Sequence, residues 1–179
     1  MRKLLLSLPI VALMSVSSFA AGGPENAVSV DFGPTIEGAE LDGAGFGVCY
    51  ERDLSGNFSG ELKFTYVGVD YSLLGYTLNI TLIDPGIEFR YYFSSQALTG
   101  LFLGLGLEDY IVTGSISGVV GASWNIPAVD AAMGYKFVIG DPSGGFLIEP
   151  YIGYAVGFEQ IEGVSIVGFE YGLKIGWAF

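Results

Sequence analysis

The sequence predicts an all-β fold, an eight-stranded antiparallel up-and-down transmembrane β-barrel. Three observations predict it. Apolar residues recur at every second position in eight separate stretches, the period of a strand and not of a helix. The opposite parity carries Gly, Ala and isolated charges, whereas a water-facing sheet would carry Thr, Ser and Lys. The chain is apolar, with 51% hydrophobic residues and a mean hydropathy of +0.53. Even so, no stretch after the N-terminus offers the roughly 18 consecutive apolar residues of a helical span. An apolar outer face over a crowded interior suits strands with lipid outside.

Residues 1–20 read as a secretory signal peptide. Arg2 and Lys3 precede the apolar run Leu4–Met14, and Ser18-Phe19-Ala20 supplies the small residues of a cleavage site after Ala20. Residues 21–179 then form one barrel domain. Several functions are disfavoured by composition. Seven basic residues against nineteen acidic ones leave a net charge of −12, the wrong sign for holding nucleic acid. No histidine is present, which removes the commonest acid–base and zinc chemistry. One cysteine, Cys49, permits no internal disulfide and reads as a small buried filler.

The strands follow in order. Val28, Val30 and Phe32 oppose Ser29, Asp31 and Gly33; Phe46, Val48 and Tyr50 oppose Gly45, Gly47, Cys49 and Glu51. Leu62, Phe64 and Tyr66 oppose Glu61, Lys63 and Thr65. In the fourth strand Leu78, Ile80 and Leu82 have one parity, and Ile87, Phe89, Tyr91 and Phe93 the other. A β-bulge at Asp84-Pro85-Gly86 would reconcile the two halves on one face. Leu101, Leu103, Leu105 and Leu107 oppose Phe102, Gly104, Gly106 and Glu108. Val129 to Phe137 alternate with Asp130, Ala132, Gly134 and Lys136. Ile148 to Val156 alternate with Glu149, Tyr151, Gly153 and Ala155, and Pro150 on the apolar parity calls for a second bulge. Phe169, Tyr171, Leu173, Ile175, Trp177 and Phe179 complete the last strand, against Glu170, Gly172, Lys174 and Gly176.

The connections alternate in length. Arg52–Asn57, Ser94–Thr99 and Gly140–Gly145 have turn chemistry. Thr35–Gly43, Asp70–Gly75, Asp109–Trp124 and Glu159–Ser165 become external loops, the third the longest. Two aromatic girdles are expected. Tyr50, Tyr91, Phe93, Phe137, Phe146, Trp177 and Phe179 mark the inner boundary; Tyr66, Trp124, Phe158 and Phe169 mark the outer.

The charges are the main candidate site. Lys63, Arg90, Lys136 and Lys174 share the inward parity with Asp31, Glu51, Glu61, Glu88, Glu108, Asp130, Glu149 and Glu170. A lipid-facing Arg or Lys at mid-depth costs about 2–4 kcal/mol, so inward placement is the physical expectation. Eight strands enclose an interior that side chains can fill. The expectation is therefore a structural charge network over Lys63, Arg90, Lys136, Glu149, Glu170 and Lys174, with Glu149 between Lys136 and Lys174. A narrow acid-lined conduit is the alternative. Paired carboxylates inside such a wall lack a cleft for a sugar. Gly43, Gly45 and Gly47 lack the order and following helix of a phosphate loop. Glu37, Glu40, Asp42, Asp70, Asp109, Glu159 and Glu162 make an acidic outer rim without metal-ligand spacing. No catalytic residue, metal or cofactor is expected.

The terminal residues Tyr171, Ile175, Trp177 and Phe179 resemble the C-terminal assembly signal of small outer-membrane β-barrels. Ile87-Glu88-Phe89-Arg90-Tyr91-Tyr92-Phe93, followed by a turn and Gly104-Leu105-Gly106-Leu107, resembles their fourth and fifth strands. These are the OmpW-like, OmpX-like and opacity-type proteins and the OmpA membrane domain. The resemblance implies residence in the cell outer membrane, with its lipids and assembly machinery as partners. It also implies a structural or surface-interaction role with a filled lumen. The OmpW-like alternative is a narrow channel for small apolar or cationic solutes.

Overall fold

A computed structural model describes residues 23–73, 76–94, 96–116, 119–141, 143–161 and 164–179. The signal peptide expected over residues 1–20 lies outside them, as does Glu162 of the acidic rim; of Glu159 only the backbone is described. In chain order the described residues form β1 (Asn26–Asp31), α1 (Gly33–Glu40), β2 (Gly43–Ser55), β3 (Phe58–Leu73), β4 (Tyr76–Tyr92), β5 (Gly100–Ile116), β6 (Val119–Asp141), β7 (Gly144–Ile161) and β8 (Val164–Ala178). The eight strands pair antiparallel in sequence order, and β1 closes on β8. The β1 ladder closes the seam only over Asn26–Asp31, opposite Gly47–Arg52 of β2 and Lys174–Ala178 of β8; beyond it α1 lies against β2 and β8. At the seam, Glu25 N and Asn26 N donate to Phe179 O at 3.0 and 2.8 Å, and Phe179 N donates to Asn26 O at 2.7 Å.

The alternation sets the two faces. Outward residues are large and exposed, Leu105 at 70% and Phe169 at 79% among them. Inward positions hold glycines, small residues and buried charges. A Cβ on Gly104 would lie 2.6 Å from Glu88 Cδ, so the missing side chain gives that carboxylate its room. Aromatic contacts gather near both strand ends. Phe46 stacks on Tyr66 and Tyr154 meets Phe169 edge-on at one end; Phe58, Tyr91 and Phe93 group at the other.

Several connections differ from the sequence expectation. Asp109–Trp124 is not a loop: β5 and β6 stay paired from Asp109↔Pro127 to Ile116↔Val119, with an irregularity at Gly114/Ser115. Asp70–Gly75 is largely strand as well, paired as far as Leu73↔Tyr76. Thr35–Gly43 is helical as far as Glu40, in α1, which begins two residues earlier at Gly33 and whose first turn accepts Pro34 because its missing N–H would be unpaired there anyway. Trp124 does not join the outer girdle. With β6 beginning at Val119, its parity is that of Ile126 and Ala128, and it packs on their cluster with Tyr110 and Ala155.

Neither expected bulge occurs. β3 and β4 keep one register through Thr65↔Asp84, Phe64↔Pro85 and Lys63↔Gly86. Toward β5 the ladder skips Asp84 and Pro85 and resumes in the same register at Gly86↔Glu108. Proline removes a donor without adding a residue. Pro150 behaves alike: it pairs with Leu173 on β8, and the β6 ladder resumes in register at Phe137↔Ile148. The consequence in β4 is large. Leu78, Ile80 and Leu82 share the parity of Asp84, Glu88 and Arg90, and so belong to the lumen side.

Candidate functional site

The lumen has three levels. Its inner end is apolar. Tyr92, Ala97, Leu98 and Phe102 form one buried cluster, and Ala27, Leu147 and Ala178 another. Leu98 reaches the lumen from the turn between β4 and β5 at φ +62°, and Ala97 N donates to Gly56 O at 2.8 Å across to the neighbouring turn.

Above this plug lies an ion network centred on Arg90, which is 1% exposed. Its guanidinium reaches four carboxylates on four strands: Glu88 Oε1 at 2.5 Å, Glu61 Oε1 at 2.7 Å, Glu51 Oε2 at 2.9 Å and Glu149 Oε1 at 3.0 Å. The planar fork of five donors makes arginine suited to this role. Lys136 Nζ pairs with Glu51 and sits 2.9 Å from Glu149 Oε2. Lys174 Nζ is 2.6 Å from Glu61 Oε1 and 3.6 Å from Glu149 Oε1. Tyr92 Oη donates to Glu51 at 2.7 Å, and the Phe102 ring lies 4.4 Å under the guanidinium carbon. Three cations therefore face four carboxylates, all seven buried.

The outer level has a different balance. Lys63 Nζ pairs with Glu108 and lies 3.4 Å from Asp130 Oδ2. Carboxylate oxygens of Glu108, Asp130 and Glu170 all fall within 4.8 Å of one another, a spacing able to hold a cation. Tyr110 Oη lies 2.5 Å from Glu108 Oε2 and 2.8 Å from Glu170 Oε1. Over this floor opens a cavity of about 370 Å³, walled by Val67, Val69, Ile80 and Leu82 and rimmed by Pro34, Glu37 and Leu41 of the α1 segment. The helix is held by Thr35 Oγ1 donating to Gly45 O at 2.7 Å and Tyr171 Oη donating to Glu40 Oε1 at 2.9 Å. Asp31 anchors its start, accepting from Gly33 N at 2.9 Å and from Tyr151 Oη at 2.8 Å. Burial, then the charges of Glu170, Asp31, Glu40 and Glu108, push the Glu37 carboxyl up to about 7.

The residues grouped by parity thus fall into two sets. Arg90, Lys136, Glu149 and Lys174 meet at the middle level; Lys63 and Glu170 belong to the outer one. Tyr171, Trp177 and Phe179 face outward at the seam strand and its end. Ile175, opposite Val30 of β1 and Ile148 of β7, shares their outward parity. Tyr110 and Asp84 were not expected in the lumen, yet continuing the alternation of β5 past Glu108 would have placed Tyr110 there.

No protein-family model matches this sequence, and no curated protein does. Among solved structures, the chain is similar to Ail, the attachment invasion locus protein of Yersinia pestis, crystallised with the heparin analogue sucrose octasulfate. The TM-score is 0.57 at 14% identity, covering 88% of this chain and 99% of that one. The two chains share a fold. At this identity the likeness reaches no further than the barrel itself.

Proposed function

We propose that this chain is an outer-membrane barrel, exported by its N-terminal signal and sealed against ion flow, that acts at the outer surface. The observation that carries the reading is the filled middle of the lumen, where Arg90 and its four carboxylates span the interior above the plug of Tyr92, Leu98 and Phe102. The apolar outer face supports lipid as its surroundings, and the C-terminal residues Tyr171, Ile175, Trp177 and Phe179 support delivery by the outer-membrane assembly machinery. The strands of 15 to 23 residues from β3 to β8 exceed the ~9–11 that a tilted span needs, so the hairpins opposite the short turns stand clear of the bilayer. They are the surface on which a partner would bind.

The ligand in the Ail structure does not transfer. A polysulfated sugar needs exposed arginines and lysines. Here Lys63, Arg90, Lys136 and Lys174 lie inside, Arg52 is at the inner end of β2, and the outer rim is acidic. Catalysis is not part of the reading, because the sequence has no histidine and no nucleophile–base spacing.

Planar-bilayer recordings on refolded protein test the seal. The expected result is no porin-like step. Large ohmic steps would refute the filled lumen. A small cation-selective current would favour the narrow-channel reading, which the acid excess around Lys63 supports.

A further inference from the structure

We propose that the outward cavity is a binding site for a small apolar organic ammonium ion, its charge on the carboxylate floor and its body against the aliphatic wall. The inference rests on the proposed reading only in taking the cavity as open to the outside and closed below.

The floor is short of positive charge. Asp84, Glu108, Asp130 and Glu170 lie around the ammonium of Lys63; Arg90 and Lys174 also line the cavity, but their ion pairs are with Glu51, Glu61, Glu88 and Glu149 of the middle network. Buried carboxylates need a counter-charge and hydrogen-bond donors, and the donors present do not suffice. Tyr110 lies within bonding distance of both Glu108 and Glu170, but a phenol has one proton to give and can serve only one of them at a time. Asp84 supplies a separate observation. It is 4% exposed, lines the cavity, and its Oδ1 is buried with no hydrogen-bond partner.

The wall decides between kinds of cation. Val67, Val69, Ile80 and Leu82 come from facing positions of β3 and β4, paired Val67↔Leu82 and Val69↔Ile80. A bare metal ion would answer the carboxylates and leave this apolar surface wet. An alkylammonium answers both, since its three N–H donors meet carboxylates while its hydrocarbon displaces water from the wall. The volume of about 370 Å³ lies in the range of small-molecule pockets. Access runs past α1, where Glu37 adds a further acid to the rim.

The test is a methyl-resolved NMR titration of the full barrel in lipid nanodiscs with three probes of one shape: 1-aminoadamantane, 1-adamantanol and adamantane-1-carboxylate. The amine is expected to shift Val67, Leu82 and Ala155 methyl signals and to bind at least about tenfold more tightly than the other two. Asp84→Asn and Glu170→Gln should each weaken the amine by about tenfold and leave the alcohol unchanged. Equal binding of amine and alcohol would overturn the proposal, leaving only an apolar pocket. So would calcium shifting the same signals where the amine shifts none. The wild-type probe series decides the matter even if a variant fails to fold. A conducting barrel that binds the amine would sink the sealed-lumen reading alone; a silent barrel that ignores the amine would sink this inference alone.

Discussion

Replacing Arg90 by Met isolates what the middle network contributes. The network holds three cations and four carboxylates; without the guanidinium it holds two against four. The carboxylates do not suffer equally. Glu51 keeps Lys136 and Tyr92, Glu61 keeps Lys174, and Glu149 keeps both lysines. Glu88 loses its single ion pair among the described residues. One stranded buried charge typically costs about 3–5 kcal/mol, and that is the expected cost of Arg90→Met. Glu88→Gln alone removes one charge-assisted bond, worth about 1.5–3 kcal/mol, but leaves three carboxylates facing three cations, so the low end is expected. The double variant should recover part of the sum, with a coupling energy of about 1–3 kcal/mol. Urea unfolding in lipid vesicles, read by heat-modifiable migration and tryptophan fluorescence, measures all four corners of the cycle. The coupling should persist when salt rises from 0.1 to 1 M, because screening acts weakly on buried pairs. Additivity within about 0.5 kcal/mol would refute the argument, since it would mean that Arg90 and Glu88 do not sense each other. The same reasoning lowers the expectation for Glu149→Gln: each cation around Glu149 retains another carboxylate, so its removal should cost less than that of Arg90.

Two further outcomes are expected. Phe179→Asp places a charge on the outward face at the seam where the chain end bonds to Glu25 and Asn26, and should reduce membrane insertion and leave the chain in the periplasm; normal membrane recovery would count against the assembly role of the terminal residues. The Glu37 carboxyl, held up at about 7 in the seated helix, binds its proton more tightly there than in an unseated one, where the ordinary value is 4.5. Seating of α1 is thus fully favoured below pH 4.5, weakens as pH rises toward 7, and changes no further above it. The groups that face Glu37 (Asp31, Glu40, Glu108 and Glu170) are all acidic and act in the same direction. Hydrogen-exchange protection of α1 amides, corrected for intrinsic rates, should fall over that window, and Glu37→Gln should flatten it; an equal slope in the variant would remove Glu37 as the cause.

The barrel was legible because strand parity is a local property. Every strand but the fourth states its two faces by simple alternation, and most of the charges within the strands fall on the inward parity, where they can pair. The register across hairpins was legible too: a turn centred near Pro142-Ser143 sets Lys136 against Glu149, and a centre near Ile161-Glu162 sets Glu149 against Lys174. What parity cannot state is which side chains meet across the lumen. Arg90 touches Glu149 from 59 positions away and across the barrel, a contact that depends on closure and shear rather than on any neighbouring strand.

The fourth strand shows how an economical reading can hide a site. Assuming that every apolar residue of a membrane strand faces lipid forces a bulge at Asp84-Pro85-Gly86, and the bulge turns Leu78, Ile80 and Leu82 outward. The unbroken register keeps them inside, opposite Tyr71, Val69 and Val67. A barrel interior that changes from charged to aliphatic within one strand is not filling space uniformly. Hydrocarbon placed inward near the mouth gains nothing from lipid, and it is exposed to water unless something apolar covers it. The parity switch at Asp84 is therefore better taken as the boundary between the network that closes the lumen and a chamber built to be occupied. Pro85 and Asp84 stand at that boundary, the one where the ladder to β5 breaks and the other a chamber-lining carboxylate with one buried, unpartnered oxygen.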